Sequence, residues 1–151
     1  MDISNLLTIY DRQLVNLKQL LGIVTEKRNA LISSKYEDFE IASRKEEKVL
    51  MLVQTTEKQR GLLIESILGK HFPNLPDRTK AKLSTVLRGL VPQRDLERLS
   101  VLEAATRAMV TALSEENSHN LFLLHHLKTF YNDVMQALIG NKRAAIVDRK
   151  V

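Results

Sequence analysis

Apolar residues recur along most of the chain at alternating spacings of four and three. The first run covers residues 3–32, and its seam positions are Ile3, Leu7, Tyr10, Leu14, Leu17, Leu21, Val24, Arg28 and Leu31. This spacing places the side chains on one face of an α-helix, whereas side chains of a strand alternate every second residue. The pattern therefore restricts the chain to folds in which long helices pack side by side.

A second helix is expected almost directly after the first. Ser34, followed three residues later by Glu37, has the pattern of a capping box. The helix is expected over residues 35–68, and so short a connection folds it back on the first as an antiparallel hairpin. Arg28 and Glu46 would then lie at similar distances from the turn. Two interpretations stay open for them: a pair across the seam, or two side chains that reach water at its edge.

The middle of the chain is a connector followed by a third long helix. Pro73 and Pro76 interrupt the helical pattern. A short amphipathic helix is expected over residues 78–90, and a long one over residues 92–139. Residues 140–151 begin with a glycine and have no sustained pattern, which predicts a flexible basic tail.

The composition favours an all-α fold. Glycine (5) and proline (3) are scarce, and aromatic residues are only 5% of the chain. We predict an elongated antiparallel bundle of three long helices, with a short extra helix between the second and the third, in one domain over residues 1–139. At ~1.5 Å per residue the third helix would be about 70 Å long, so part of it is expected to overhang, to be covered by the short helix, or to be broken.

Composition also bears on location. Cysteine is absent, which suits a reducing compartment. The N-terminus lacks the basic and apolar regions of a signal peptide. Apolar runs are far shorter than the roughly 18 residues that span a bilayer. The expectation is a soluble, cytoplasmic protein without stable membrane insertion.

The net charge of +5 is concentrated in two segments, +4 in residues 69–95 and +3 in residues 140–151. Clustered cations could meet nucleic acid or an acidic partner. The sequence has no aromatic platform and no recognition-helix motif, so a solvated basic connector is favoured and no nucleic acid is expected as a partner.

No catalytic or metal-binding constellation is present in the sequence. Phosphate-binding glycine loops and zinc-protease motifs are absent. His119 and His126 share a helical face but lie about 10 Å apart along it, too far to share one metal ion. We expect no enzyme, no metal and no cofactor.

The third helix contains an unusual seam. Asn117 and Asn120 begin it, and apolar or aromatic residues continue it at Leu124, Leu127, Tyr131, Val134 and Leu138. Amides on a packed seam need hydrogen-bond partners. They either hold the helices in register within the bundle or bind another molecule, and a monomer and a dimer through this helix fit the seam equally well.

Several segments resemble the FlgN family of flagellar type III export chaperones. Asn117, Asn120, Leu123 and Leu124 match an N-x-x-N-x-x-L-L signature. Further similarity lies in the leucine-rich opening hairpin, in its charged and leucine-containing segments 47–50 and 57–63, and in the C-terminal residues 148–151. Order, spacing and length extend the resemblance over essentially the whole chain.

The resemblance implies a cytoplasmic chaperone that binds C-terminal helical segments of hook-associated proteins, which form the hook–filament junction, and delivers them to the export gate. It also implies binding through the C-terminal half of the chain. The candidate client-binding residues are Asn117, Asn120, Leu124, Leu127, Phe130, Tyr131 and Leu138. The alternatives are another flagellar or type III chaperone, a coiled-coil adaptor or, less favoured, a nucleic-acid-binding helical protein.

Overall fold

The computed structural model describes residues 1–75 and 82–150, without the side chains of residues 130, 131 and 138–150. Its helices are, in chain order, α1 (Ser4–Ile32), α2 (Tyr36–His71), α3 (Leu83–Val86) and α4 (Gln93–Lys150). The described residues form no strand. The predicted all-α bundle, three long helices with a short one between the second and third, is therefore confirmed.

Helix α2 runs antiparallel to α1. Asn16 donates a hydrogen bond to the Thr56 hydroxyl at 3.2 Å, and nearer the turn Lys27 pairs with Glu46 at 2.8 Å. Residue numbers thus rise along α1 as they fall along α2, as expected for a hairpin with a short turn.

Helix α4 lies parallel to α1. Asp11 accepts a hydrogen bond from Arg98 near the start of both helices, and Arg28 pairs with Glu116 at 2.8 Å further along. Within the described part of the chain α2 and α4 do not approach each other closely, whereas both pack on α1. The bundle is therefore open, with α1 in the middle and a groove between its two neighbours.

The larger core cluster lies where α1 and α4 begin and α2 ends. Leu6, Leu68, Leu87 and Leu99 are fully buried there. Leu83 of α3 and Leu87 just after it close this end of the molecule. Each such side chain stabilises the fold by about 1.5–3 kcal/mol relative to an exposed one.

A second cluster extends the core toward the hairpin turn. Leu17 and Val24 of α1 pack there with Val49 of α2 and Leu113 of α4. Among the described side chains of α4, Asn120 is the last that is buried. The contribution of α4 to the core therefore ends well before the helix does.

The turn between α1 and α2 differs from the predicted capping box. Ser34 has a positive φ of 53°; its N–H donates to the carbonyl of Leu31, and the N–H of Lys35 donates to that of Ala30. These two bonds form a Schellman motif that ends α1. The capping box of Ser34 with Glu37 is wrong, because α2 begins one residue later and has no side-chain cap.

The suggested pair of Arg28 with Glu46 is also wrong. Glu46 pairs with Lys27, and Arg28 turns to Glu116 of α4, which accepts two hydrogen bonds at 2.8 and 2.9 Å. Because α1 has a helix on each side, adjacent cations along it point to different partners.

Helix α4 does not end near residue 139, as the glycine at 140 suggests. It continues to Lys150 as one helix of 58 residues. One glycine inside a helix costs only about 1 kcal/mol against alanine, no proline follows it, and the tail contains good helix formers such as Ala144 and Ala145. The flexibility of residues 140–151 stays a prediction.

The short helix expected over residues 78–90 is found in part: within the described residues 82–90 it comprises α3, and residues 87–90 form a turn. Gly89 has a positive φ of 85° in that turn, a conformation that glycine adopts without strain. Residues 76–81, where the predicted helix would begin, lie outside the described residues.

Candidate functional site

The two candidate asparagines lie in different environments. Asn120 is only 4% exposed, and its amide donates to the backbone carbonyl of Val24 at 3.1 Å. Its side-chain oxygen has no partner within the described structure. Asn117 is exposed. The signature thus contains one amide that fastens α4 to α1 and one that faces solvent.

A strong ion pair holds α4 next to this amide. Arg28 and Glu116 are both partly buried, with side-chain exposures of 32% and 21%. A single guanidinium nitrogen, Nη1, donates to both carboxylate oxygens, and such charge-assisted hydrogen bonds are roughly twice as strong as neutral ones. Glu116 and Asn120 lie one helical turn apart, so together they fix α4 on the end of α1.

Beyond Asn120 the helix leaves the core. Leu124 is 37% exposed, Leu127 is partly buried, and every other described side chain after it on α4 is exposed. Helix α1 ends at Ile32, eight residues after Val24, which binds Asn120, and four after Arg28, which pairs with Glu116, so α4 passes the end of α1 between residues 120 and 128. The remainder of α4 to Lys150 extends about 40 Å further.

Three of the candidates are aromatic or apolar residues further along α4. The side chains of Phe130, Tyr131 and Leu138 lie outside the described residues, although the backbone of α4 passes through all three positions. Their part in binding stays a prediction that rests on their helical spacing.

The structure adds exposed apolar residues that the candidate client-binding residues did not include. Leu121 and Phe122 are each 68% exposed, and Val134 and Met135 are 41% and 39% exposed. Phe122 stacks on His126 with ring centroids 6.0 Å apart. The sequence signal was available: four apolar residues in succession, 121–124, cannot all lie on one face of a helix.

We name the exposed apolar surface of the overhang the distal α4 face. It consists of Leu121, Leu124, Leu127, Val134 and Met135. On a helix these residues lie within about 140° of one another, so they form one broad stripe. A stripe of this width is typical of a helix that packs on another, yet no helix of the described chain covers it.

The described residues offer little else of chemical interest near this face. They include no group of three histidine, aspartate or glutamate side chains placed to hold a metal ion. Within the same residues no helix is both long and apolar enough to cross a membrane.

The fold and this face define a class of protein: an all-helical module that presents an uncovered apolar stripe on a projecting helix. The family model described as FlgN protein matches residues 1–146. The chain therefore belongs to the FlgN family, a family of flagellar export chaperones rather than of enzymes. Comparison with functionally characterised proteins and with solved structures gives no match.

Proposed function

We propose that the chain is a cytoplasmic chaperone that binds C-terminal helical segments of hook-associated proteins and delivers them to the flagellar export gate. Family membership supports the general role of binding flagellar proteins. The observation that carries the specific proposal is the projection of α4 beyond α1, with Leu121 and Leu124 exposed on it.

The distal α4 face suits a helical client. An amphipathic helix binds by placing residues at spacings of three and four in an apolar groove or on an apolar stripe. The face has the same spacing and at ~1.5 Å per residue extends about 20 Å from Leu121 to Met135, equivalent to four turns of a client helix. Burying it would also keep the client's own apolar face from premature assembly.

The first test is co-purification with the C-terminal segments of the hook-associated proteins encoded in the same genome. The intact chain is expected to hold at least one of them. Failure to bind any of them, with the segments soluble and present in excess, would contradict the proposal.

Paired substitutions then locate the surface. The double variant Leu121→Lys with Leu124→Lys places two charges in the proposed interface. Each lost apolar contact is worth about 1.5 kcal/mol or more, so we expect at least a hundredfold weaker client binding. The matched control is Leu62→Lys with Leu50→Lys on α2, whose exposures of 65% and 39% are close to those of Leu121 and Leu124.

Calorimetric titration of the client segment into both variants measures the difference. Equal loss of affinity in the two would show that charge, or a general loss of structure, is responsible rather than the distal α4 face. Sedimentation of the free chain distinguishes the monomer from a homodimer through α4, and a dimer that dissociates on client binding would use the same face.

A further inference from the structure

The groove between α2 and α4 is a concave surface that is separate from the distal α4 face. Its volume is about 1070 Å³, and α1 forms its floor. Leu17, Val53, Ile64 and Val110 contribute apolar side chains to it. An α-helix about 10 Å across occupies roughly 120 Å³ per residue, so the groove has room for two to three helical turns.

The floor of the groove contains hydrogen-bonding atoms without partners. Gln13 is only 3% exposed; its amide donates to the carbonyl of Val53 at 3.2 Å, while its side-chain oxygen has no partner within the described structure. The buried hydroxyl oxygen of Thr106, on the α4 wall, is also without one. Both atoms are shielded from solvent, so an occupant of the groove would contact the apolar walls and the rim rather than these two atoms.

The free charges at the groove are positive. Three acidic groups line it: Glu57 pairs with Arg60, Glu103 accepts hydrogen bonds from the backbone and hydroxyl of Ser84, and Glu65 is not free either.

Three cations of the rim are exposed and have no ion-pair partner within the described structure. They are Lys58 on α2, Lys82 before α3 and Arg107 on α4. Because they lie on different sides of the groove, an occupant would meet positive charge along both of its flanks.

We propose that this groove binds an amphipathic helix of a partner protein, two to three turns long, with acidic residues on its flanks. The apolar walls take the leucine-like side chains, and the rim cations pair with the carboxylates. The inference does not depend on the client proposed for the distal α4 face, which begins about 20 Å further along α4 from Arg107.

The test uses three stapled 11-residue helical peptides with fluorescent labels. All have leucine at helical spacings, and their flanks contain glutamate, alanine or lysine. Fluorescence anisotropy with the intact chain measures binding. We expect the glutamate peptide to bind about tenfold more tightly than the alanine peptide, and the lysine peptide to bind least, since several exposed ion pairs of a few tenths of a kcal/mol each add up to such a factor.

A glycine in the groove gives a blocking variant that should not unfold. Gly61 lines the groove on α2, and a Cβ added there meets nothing within 4 Å. Gly61→Leu therefore fills the space where the peptide would lie and also improves helix propensity. Gly22→Leu on α1 is the matched control, because Gly22 is equally unobstructed and lies outside the groove. Binding is expected to fall at least tenfold in the first variant and to stay unchanged in the second.

Charge reversal tests the flanks. Lys58→Glu is expected to weaken binding of the glutamate peptide about threefold and to strengthen binding of the lysine peptide. Lys48→Glu, at an exposed position on α2 away from the groove, should change neither affinity. The proposal is overturned if no peptide binds at millimolar concentration, if Gly61→Leu binds as the wild type does, or if flank charge has no effect. Labelled duplex DNA that binds through Lys58 and ignores Gly61→Leu would instead indicate a nucleic-acid surface.

Discussion

At the scale of single residues, the polar interior of the hairpin is built around Tyr10. Arg60 donates to its hydroxyl at 3.1 Å, and the guanidinium also lies over the Tyr10 ring, 5.5 Å from its centroid. Hydrogen bonds to Glu57 hold the same guanidinium and raise its pKa, so Arg60 stays charged. Burial raises the pKa of the Tyr10 phenol above its ordinary value, although the nearby Arg60 opposes the shift.

Stability should therefore fall at high pH through Tyr10. Because the folded state has the higher pKa, the neutral phenol stabilises the fold below about pH 10, and this contribution is lost as the pH rises through the folded pKa. Urea unfolding between pH 8 and 11 measures it. The Tyr10→Phe variant removes the titration and should show a shallower decline; parallel curves for the two proteins would contradict the assignment.

The backbone conformation of Ser34 predicts that glycine at this position would stabilise the fold. Its φ of 53° lies in the left-handed region, where a side chain costs about 1 kcal/mol and glycine does not. Ser34→Gly should therefore raise the free energy of unfolding by about 0.5–1 kcal/mol, less than the full strain because glycine is also freer in the unfolded chain. Chemical denaturation checks the change, and Ser33→Gly, where φ is −86°, should not stabilise.

Substitution by leucine distinguishes the roles of Asn120 and Asn117. Asn120→Leu removes a buried oxygen without a partner, so we expect stability to change little or to rise, by up to about 1 kcal/mol. Asn117→Leu, at an exposed position, should leave stability within about 0.5 kcal/mol. Thermal unfolding, sedimentation and client titration read the outcome. Loss of client binding without a change in oligomeric state would show that the substituted amide binds the client. A new oligomeric state would show that the amide holds the helices in register.

At the scale of helices, the existence of each long helix followed from periodicity and from the scarcity of glycine and proline. What periodicity did not reveal was the pairing of polar groups. Arg28 and Glu46 looked complementary because a hairpin puts them at one level, but a third helix on the opposite side of α1 takes Arg28. The end of α4 was missed because a lone glycine is a weak stop signal when good helix formers follow it.

Shortening α4 should separate folding from binding. Both core clusters are complete by Leu113, and the last buried side chain described on α4 is that of Asn120. A chain that ends at Thr129 should therefore keep its free energy of unfolding within about 0.5 kcal/mol. It should bind the client much more weakly, since it lacks Val134 and Met135. A large drop in the unfolding midpoint would show instead that the overhang packs on the bundle.

At the scale of the whole molecule, the central position of α1 explains why its side chains are more deeply buried than those of α2. Helix α1 buries residues on two sides, including Gln13 and Asn16, whereas α2 leaves Leu52 and Leu62 exposed. The sequence predicted three amphipathic helices but not that two of them would stay apart. The apolar stripes of α2 and α4 are each covered by one long helix, α1, so patterning alone does not distinguish a closed bundle from an open one.

The projection of α4 also sets a geometric rule for avidity. Arg107 on the groove and Leu121, where the distal α4 face begins, lie about 20 Å apart along one helix. A partner with two helical segments could occupy both surfaces at once only if at least about 6 extended residues joined them. A tether near that minimum would raise the effective concentration of the second segment to millimolar values, whereas a shorter one would make the two surfaces compete for a single chain.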